Sequence, residues 1–311
     1  MSAVLEVSDL NVTFRTRYGG IRASQGITFS VQSDEICVLV GETGSGKSVI
    51  GQAVLHLLPP SAQVSGSVRY LGQEMLGMGE DAFCAYRGRE ISLIPQNPSG
   101  SLDPLMRNGV QVAEVMTGPE SGRDAEVRRI LSGLRFDDPD RVAESYPHEL
   151  SGGMRQRVTT GIAVASHPHL LIADEPTKGL DYAARKVTME VLSALKEEEN
   201  ASILLITHDL DLARMIGDSV GVLYSGEMVE FGPCNEVFSD PWHPYTKGLL
   251  RALPRNGMVP MPGATPGLEN LPDGCYFNER CDRACERGAT VHPGWTKRER
   301  RGVRCHLNCS E

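Results

Sequence analysis

An α/β fold with a doubly wound sheet is what this sequence of 311 residues predicts, on three observations. The apolar run Ile36-Cys37-Val38-Leu39-Val40 reads as a buried strand feeding a glycine-rich turn, followed by a helix over 48–55. Leu170-Leu171-Ile172-Ala173 reads as a second buried strand and ends in Asp174-Glu175. Ser202-Ile203-Leu204-Leu205-Ile206-Thr207 reads as a third and ends in His208-Asp209. Each run is followed by residues able to do chemistry, and the carboxyl edge of the strands is where a doubly wound sheet places its ligands.

The turn after the first strand is Gly-Glu-Thr-Gly-Ser-Gly-Lys-Ser at 41–48, which fits the spacing G-x-x-x-x-G-K-S/T between a strand and a helix. Gly41, Gly44 and Gly46 let the backbone wrap closely around phosphate oxygens, and the N–H groups of the run that includes Ser45 and Val49 supply positive field. Lys47 would reach the β- and γ-phosphates of ATP, and the Ser48 hydroxyl would bind Mg2+. At the second strand, Asp174 would hold Mg2+ through water and Glu175 would polarise the attacking water. The bland alternative is a solvated acidic pair closing a strand. His208 can reach the γ-phosphate, although a histidine after a strand is by itself more often structural than catalytic.

A fourth string, Leu-Ser-Gly-Gly-Met-Arg-Gln-Arg at 150–157, completes a set. With it, the chain resembles the ATP-binding subunit of an ABC transporter over nearly its whole length. The resemblance implies a P-loop NTPase fold with a RecA-like core, a helical subdomain and a carboxyl-terminal extension that carries cysteines. It makes 41–48 the Walker A loop and Gln96, in Ile-Pro-Gln-Asn-Pro, the Q-loop glutamine that joins Ser48 and Asp174 around Mg2+. It makes 150–154 the signature, 170–174 the Walker B strand, Glu175 the catalytic carboxylate, Asp181 the D-loop aspartate and His208 the switch histidine. Tyr18 falls where the family stacks an aromatic on adenine, with Phe14 as the fallback; either could equally be core packing. Ser151, Gly152 and Gly153 precede a helix starting near Met154, so their N–H groups form a second anion site. In the family that site caps ATP held by a second ATPase, in a homo- or heterodimer.

Composition narrows the reading. The chain is 40% hydrophobic and 5% aromatic with a net charge of −9, and it lacks a lysine/arginine tract, which argues against a nucleic-acid partner. Its longest apolar runs are strand-length, so none spans a bilayer. The N-terminus, Met-Ser-Ala-Val-Leu-Glu-Val, has no basic region and apolar core, which suggests a cytoplasmic protein. The organisation we expect is 1–95 as ATP-binding core with amino-terminal antiparallel strands, 96–160 as helical signature subdomain, 161–232 as the rest of the core, and 233–311 as the extension. The helical subdomain should contain a segment at 110–116 and a helix over 123–134. It lacks the long coiled coil of chromosome-maintenance relatives.

The extension carries His-Pro-Tyr-Thr-Lys-Gly-Leu-Leu at 243–250, a proline- and glycine-rich stretch to Pro272, and Gly-Cys-Tyr-Phe-Asn-Glu-Arg-Cys at 274–281. It looks like the tail of the oligopeptide/dipeptide/nickel importer subfamily. Such an importer implies two membrane permeases, an extracytoplasmic solute-binding protein and a peripheral location on the inner face of the membrane. Five of the eight cysteines cluster in the tail. In a reducing cytosol clustered thiols point to metal. Cys275, Cys281, Cys285 and Cys305, with Cys309 as substitute, are the expected ligands of a 4Fe–4S cluster, with zinc or an unmetallated packed cluster as the alternatives. The cysteines also fit a rival reading, a soluble ATPase that remodels a metalloenzyme.

Overall fold

The computed structural model describes residues 2–17, 19–199 and 201–308. Tyr18 and Cys309, named above, lie outside the described residues. The strands are β1 (Ala3–Thr16), β2 (Gly19–Gln32), β3 (Ile36–Gly41), β4 (Ala62–Tyr70), β5 (Gln73–Glu74), β6 (Ile91–Ile94), β7 (Leu170–Asp174), β8 (Ser202–Thr207), β9 (Ser219–Tyr224), β10 (Glu227–Pro233), β11 (Trp295–Arg298) and β12 (Arg301–Arg304). The three strands that the apolar runs predict are thus present, with nearly the expected bounds. The chain divides into two compact units.

The first unit comprises 1–4, 32–35 and 78–205. Its strands lie in the order β8-β7-β6. β6 and β7 run parallel, with Ile91 opposite Leu170 and Ile94 opposite Ala173. A strand buried on both faces reads as a continuous apolar run rather than an alternating one, as residues 170–173 of β7 and 203–206 of β8 do. The helices of this unit include Asn108–Glu114, Arg123–Gly133, Pro139–Glu144 and Gly152–Val164. Gly161 lets the last of these approach the second closely, since a Cβ there would lie 3.0 Å from Leu134 Cδ1. Asn108 is fully buried and donates to the carbonyls of Val142 and Ser145, satisfying the end of a neighbouring helix.

The second unit comprises 5–31, 36–77 and 206–311. β1 and β4 pair antiparallel, Leu5 facing Tyr70, in a small sheet of order β2-β1-β4-β5. The other run is β11-β12-β10-β9-β3. β3 pairs parallel with β9, and β9 antiparallel with β10. β12 then adds antiparallel to β10, and β11 to β12. The extension is therefore not a tail appended to a finished core; its hairpin continues the strand order of the core. These two strands escape periodicity because each is only four residues long.

Candidate nucleotide site

β3 is buried at all six positions and stops at Gly41, which delivers the phosphate loop at the strand's carboxyl end. Two loop glycines are dictated by space as well as by φ. Gly41 (φ 156°) would place a Cβ 2.2 Å from the carbonyl oxygen of Leu223, and Gly46 (φ 94°) one 2.1 Å from that of Ala23. Gly46 is the N-cap of the helix Lys47–Val54 and offers no side chain to cap it, so the first N–H groups of that helix remain directed at the loop. Lys47 is 5% exposed. Its Nζ donates to the carbonyls of Gly41 (2.8 Å) and Glu42 (2.9 Å) and to Ser45 Oγ (3.3 Å), which aims the ammonium into the loop. Ser48 and Val49 follow in the helix. In this same unit His208 is exposed just beyond β8, and Asp209 caps the helix Leu210–Ile216 through Asp211 and Leu212 N–H groups at 3.1 Å.

The first unit holds the other predicted residues. Asp174 ends β7, and Glu175 follows it with φ 49° and 7% exposure. A buried glutamate in the left-handed region is held there by its surroundings, a condition that recurs where a side chain must be aimed. Asp181 accepts from the Ala184 N–H at 2.8 Å and caps the helix Tyr182–Glu199. Gln96 is exposed in the bend after β6. Ser151 caps the helix Gly152–Val164 by accepting from Met154 N–H at 3.3 Å, and Gly152 is exposed at its first turn. The helix begins two residues earlier than expected, because the glycines are its first turn rather than a lead-in.

Sequence reasoning passed over several residues. Arg155 donates to Ser99 Oγ (2.8 Å) and to the Leu150 carbonyl (3.0 Å), tying the signature to the segment that follows Gln96. At the phosphate loop, the Glu42 N–H donates to the Tyr245 hydroxyl at 3.0 Å. The Glu42 carboxylate takes a bidentate pair from Arg280, at 2.9 and 3.0 Å. Burial would raise that carboxyl's pKa, but the hydrogen bonds from Arg280 and Thr265 outweigh it and hold the pKa below the usual range. The only signal was that Glu42 and Arg280 both lie in quoted strings, one acidic and one basic, 238 positions apart.

The cysteine expectation needs correction. Among the described residues, no group of three or more His, Cys, Asp or Glu side chains is arranged to hold a metal ion. Cys285 is exposed while Cys305 is buried at the end of β12. Burial pushes the Cys275 thiol up to about 11 and also raises Cys281, so both favour the protonated thiol. Cys281 Sγ accepts from Arg283 N–H at 3.4 Å instead. The expected 4Fe–4S or zinc site of Cys275, Cys281, Cys285 and Cys305 is therefore not supported among the described residues.

A family profile described as ABC transporter matches residues 24–178. A second, described as the carboxyl-terminal region of oligopeptide/dipeptide transporters, matches 229–287. The oligopeptide transport ATP-binding protein OppD of Escherichia coli is 40% identical over 300 residues, covering 94% of this chain and 89% of its own. The chain belongs to the ABC transporter ATP-binding family. AppD of Bacillus subtilis, also an oligopeptide transport ATP-binding protein, is 37% identical over 319 residues, 99% of this chain and 97% of its own. OppD of Mycobacterium tuberculosis is 41% identical over 304 residues, covering 94% of this chain and 50% of its own. The chain thus spans about half the length of the mycobacterial relatives it matches. Among solved structures, the dimeric bacterial ABC transporter cassette MJ0796 superposes with a TM-score of 0.67 at 25% identity, over 74% of this chain and 98% of that one. CbiO1 of Clostridium perfringens, part of the transporter complex CbiONQ, gives 0.67 at 26% identity over 77% of this chain and 92% of its own. These likenesses agree with the α/β P-loop fold that the motifs predict. No helix among the described residues of this ABC cassette is long and apolar enough to cross a membrane.

Proposed function

We propose that the chain binds and hydrolyses ATP as a subunit of an importer for oligopeptides or dipeptides. The observation that carries this reading is the buried Lys47, held against the Gly41 and Glu42 carbonyls at the mouth of a strand–loop–helix unit. A lysine held at the mouth of such a loop is placed to meet the phosphates of a nucleotide. The names of the relatives and the match of the tail support the peptide cargo. None of the relatives named above is called a nickel transporter, and without an assembled metal site the metalloenzyme-remodelling reading loses its motive.

In this proposal the loop N–H groups from Gly41 to Val49 and Lys47 bind the phosphates. Ser48, Gln96 and Asp174 would hold Mg2+, which would neutralise phosphate charge when bound. Glu175 takes the proton from the attacking water, and His208 and Gln96 attend the γ-phosphate. Ser151, Gly152 and Gly153 cap the ATP of a second ATPase, with Asp181 facing that partner, and closure excludes water from the phosphates. Two permeases would hold the chain at the inner membrane face, and an extracytoplasmic binding protein would complete the machine. The test is affinity capture of the full chain from detergent-solubilised membranes and from cytosol, with mass spectrometry of the bound proteins. Two multispanning permeases and a second ATPase are expected; soluble enzymes alone would overturn the importer reading.

A further inference from the structure

The phosphate loop carries an acidic side chain where an anionic ligand must enter. Glu42 is the second residue of the loop, and its carboxylate lies near enough to the Lys47 ammonium for that charge to help lower its pKa. Left to itself, such a carboxylate would do two harmful things. It would repel the phosphates, and it would compete with them for Lys47. The tail of the same compact unit deals with both. Arg280 is 7% exposed and meets Glu42 fork to fork, Nη1 to Oε2 at 2.9 Å and Nη2 to Oε1 at 3.0 Å. The guanidinium is itself fixed on every side. Its Nε donates to the Pro262 carbonyl at 3.0 Å, and Nη1 donates also to Thr265 Oγ1 at 2.8 Å and the Tyr224 hydroxyl at 3.3 Å. Thr265 in turn donates to Glu42 Oε2 at 2.5 Å. Beneath lies an aromatic cluster with ring centroids 4.6 Å apart for Tyr224 and Tyr245, 5.2 Å for Tyr224 and Phe277, and 5.4 Å for Tyr245 and Phe277. Its Tyr245 hydroxyl accepts the Glu42 N–H. The stretch read from sequence as a linker is thus wrapped against the loop.

We propose that Arg280 of the carboxyl-terminal extension is a positioning residue of the nucleotide site, clamping the Glu42 carboxylate so that Lys47 is kept for the phosphates. The proposal rests on the ATP reading above. It makes the extension a condition of nucleotide affinity, and not only a stabilising appendage. A bidentate clamp is required because a point charge would neutralise Glu42 without fixing the direction of its oxygens.

The test is equilibrium binding of Mg-ATP to the full chain by titration calorimetry. Arg280→Met should weaken binding roughly tenfold, since it uncovers one negative charge beside the phosphates. Arg280→Lys, a milder change that keeps the charge and loses the fork, should fall between parent and Arg280→Met. The decisive variant adds Glu42→Gln to Arg280→Met. If the clamp acts by sequestering charge, this second change removes the offending anion and returns affinity most of the way to the parent. A double variant as weak as Arg280→Met would overturn the proposal, as would parental affinity in Arg280→Met. Should Arg280→Met fail to fold, Glu42→Gln alone must bind Mg-ATP at least as tightly as the parent, and weaker binding would sink the idea. A parent that binds no Mg-ATP defeats the ATP reading together with this one, whereas a parent that binds beside an unaffected Arg280→Met defeats only the clamp.

Discussion

Glu175 shows how much a single residue discloses and how much it withholds. Its place after an apolar strand and an aspartate was legible, because the run 170–173 and the two acids that follow are contiguous. Its backbone was not. The φ of 49° depends on packing around the turn that follows, where the Lys178 N–H donates to the Glu175 carbonyl at 3.0 Å. Replacing the carboxylate with an amide of the same shape removes the base and leaves the geometry. Glu175→Gln should therefore bind Mg-ATP like the parent while its steady-state phosphate release falls by about 10²–10³-fold. Turnover near the parental rate would withdraw the assignment. The Ser151 side chain also makes a smaller, conformational contribution. Its hydroxyl caps the helix Gly152–Val164 by accepting from Met154 N–H, so Ser151→Ala should lower unfolding stability by about 1 kcal/mol in denaturant titrations.

At the scale of the element, the helix Pro244–Arg251 is set by its first three residues. Pro244 suits the first helical position, and the fully buried His243 accepts the Tyr245 N–H at Nδ1, 3.0 Å away. Its other ring nitrogen donates to the Arg304 carbonyl. Acceptance at Nδ1 requires the neutral ring, and burial drives the pKa from 6.5 down to about 3 although the bond to Arg304 opposes it. Between those values the unfolded chain binds a proton that the folded chain refuses. Stability therefore falls as the pH drops through that window, and it is fully present above about 6.5. His243→Asn should flatten the midpoint-versus-pH curve there, as read by thermal melts from pH 7 to 4; an unchanged slope would assign the acid sensitivity elsewhere. The neighbouring pair obeys different physics. Glu230, wholly buried in β10, receives Arg301 at 2.9 Å and the N–H groups of Trp242 and His243 at 2.8 and 3.0 Å. Arg301→Met strands that carboxylate and should lower stability by about 3 kcal/mol, whereas an exposed pair such as Arg251 with Asp282 should register less than about 1 kcal/mol.

At the scale of the whole molecule, the extension belongs to the same compact unit as the phosphate loop and completes it. β12 lies along β10, Arg301 and His243 converge on Glu230 or its neighbours, and Arg280 and Tyr245 hold Glu42. A chain truncated after residue 233 would bare the edge of β10 and leave Glu230 buried without its donors. It should aggregate during purification, as measured by light scattering on elution; a monodisperse, stable truncate would show that the unit closes without its tail. What the sequence by itself determined is everything carried by local order. The strand before the loop, the glycines of its turn, the lysine behind them and the acids after β7 are all settled by residues within a few positions of one another. What only the tertiary structure decided is every contact made across distance. The hairpin β11–β12 and the Glu42–Arg280 clamp depend on contacts that local sequence does not display, and no periodicity or spacing encodes a partner 238 residues away. Local patterns fix an element because its hydrogen bonds and φ angles are local. A contact between distant residues exists only once the fold has removed both from water.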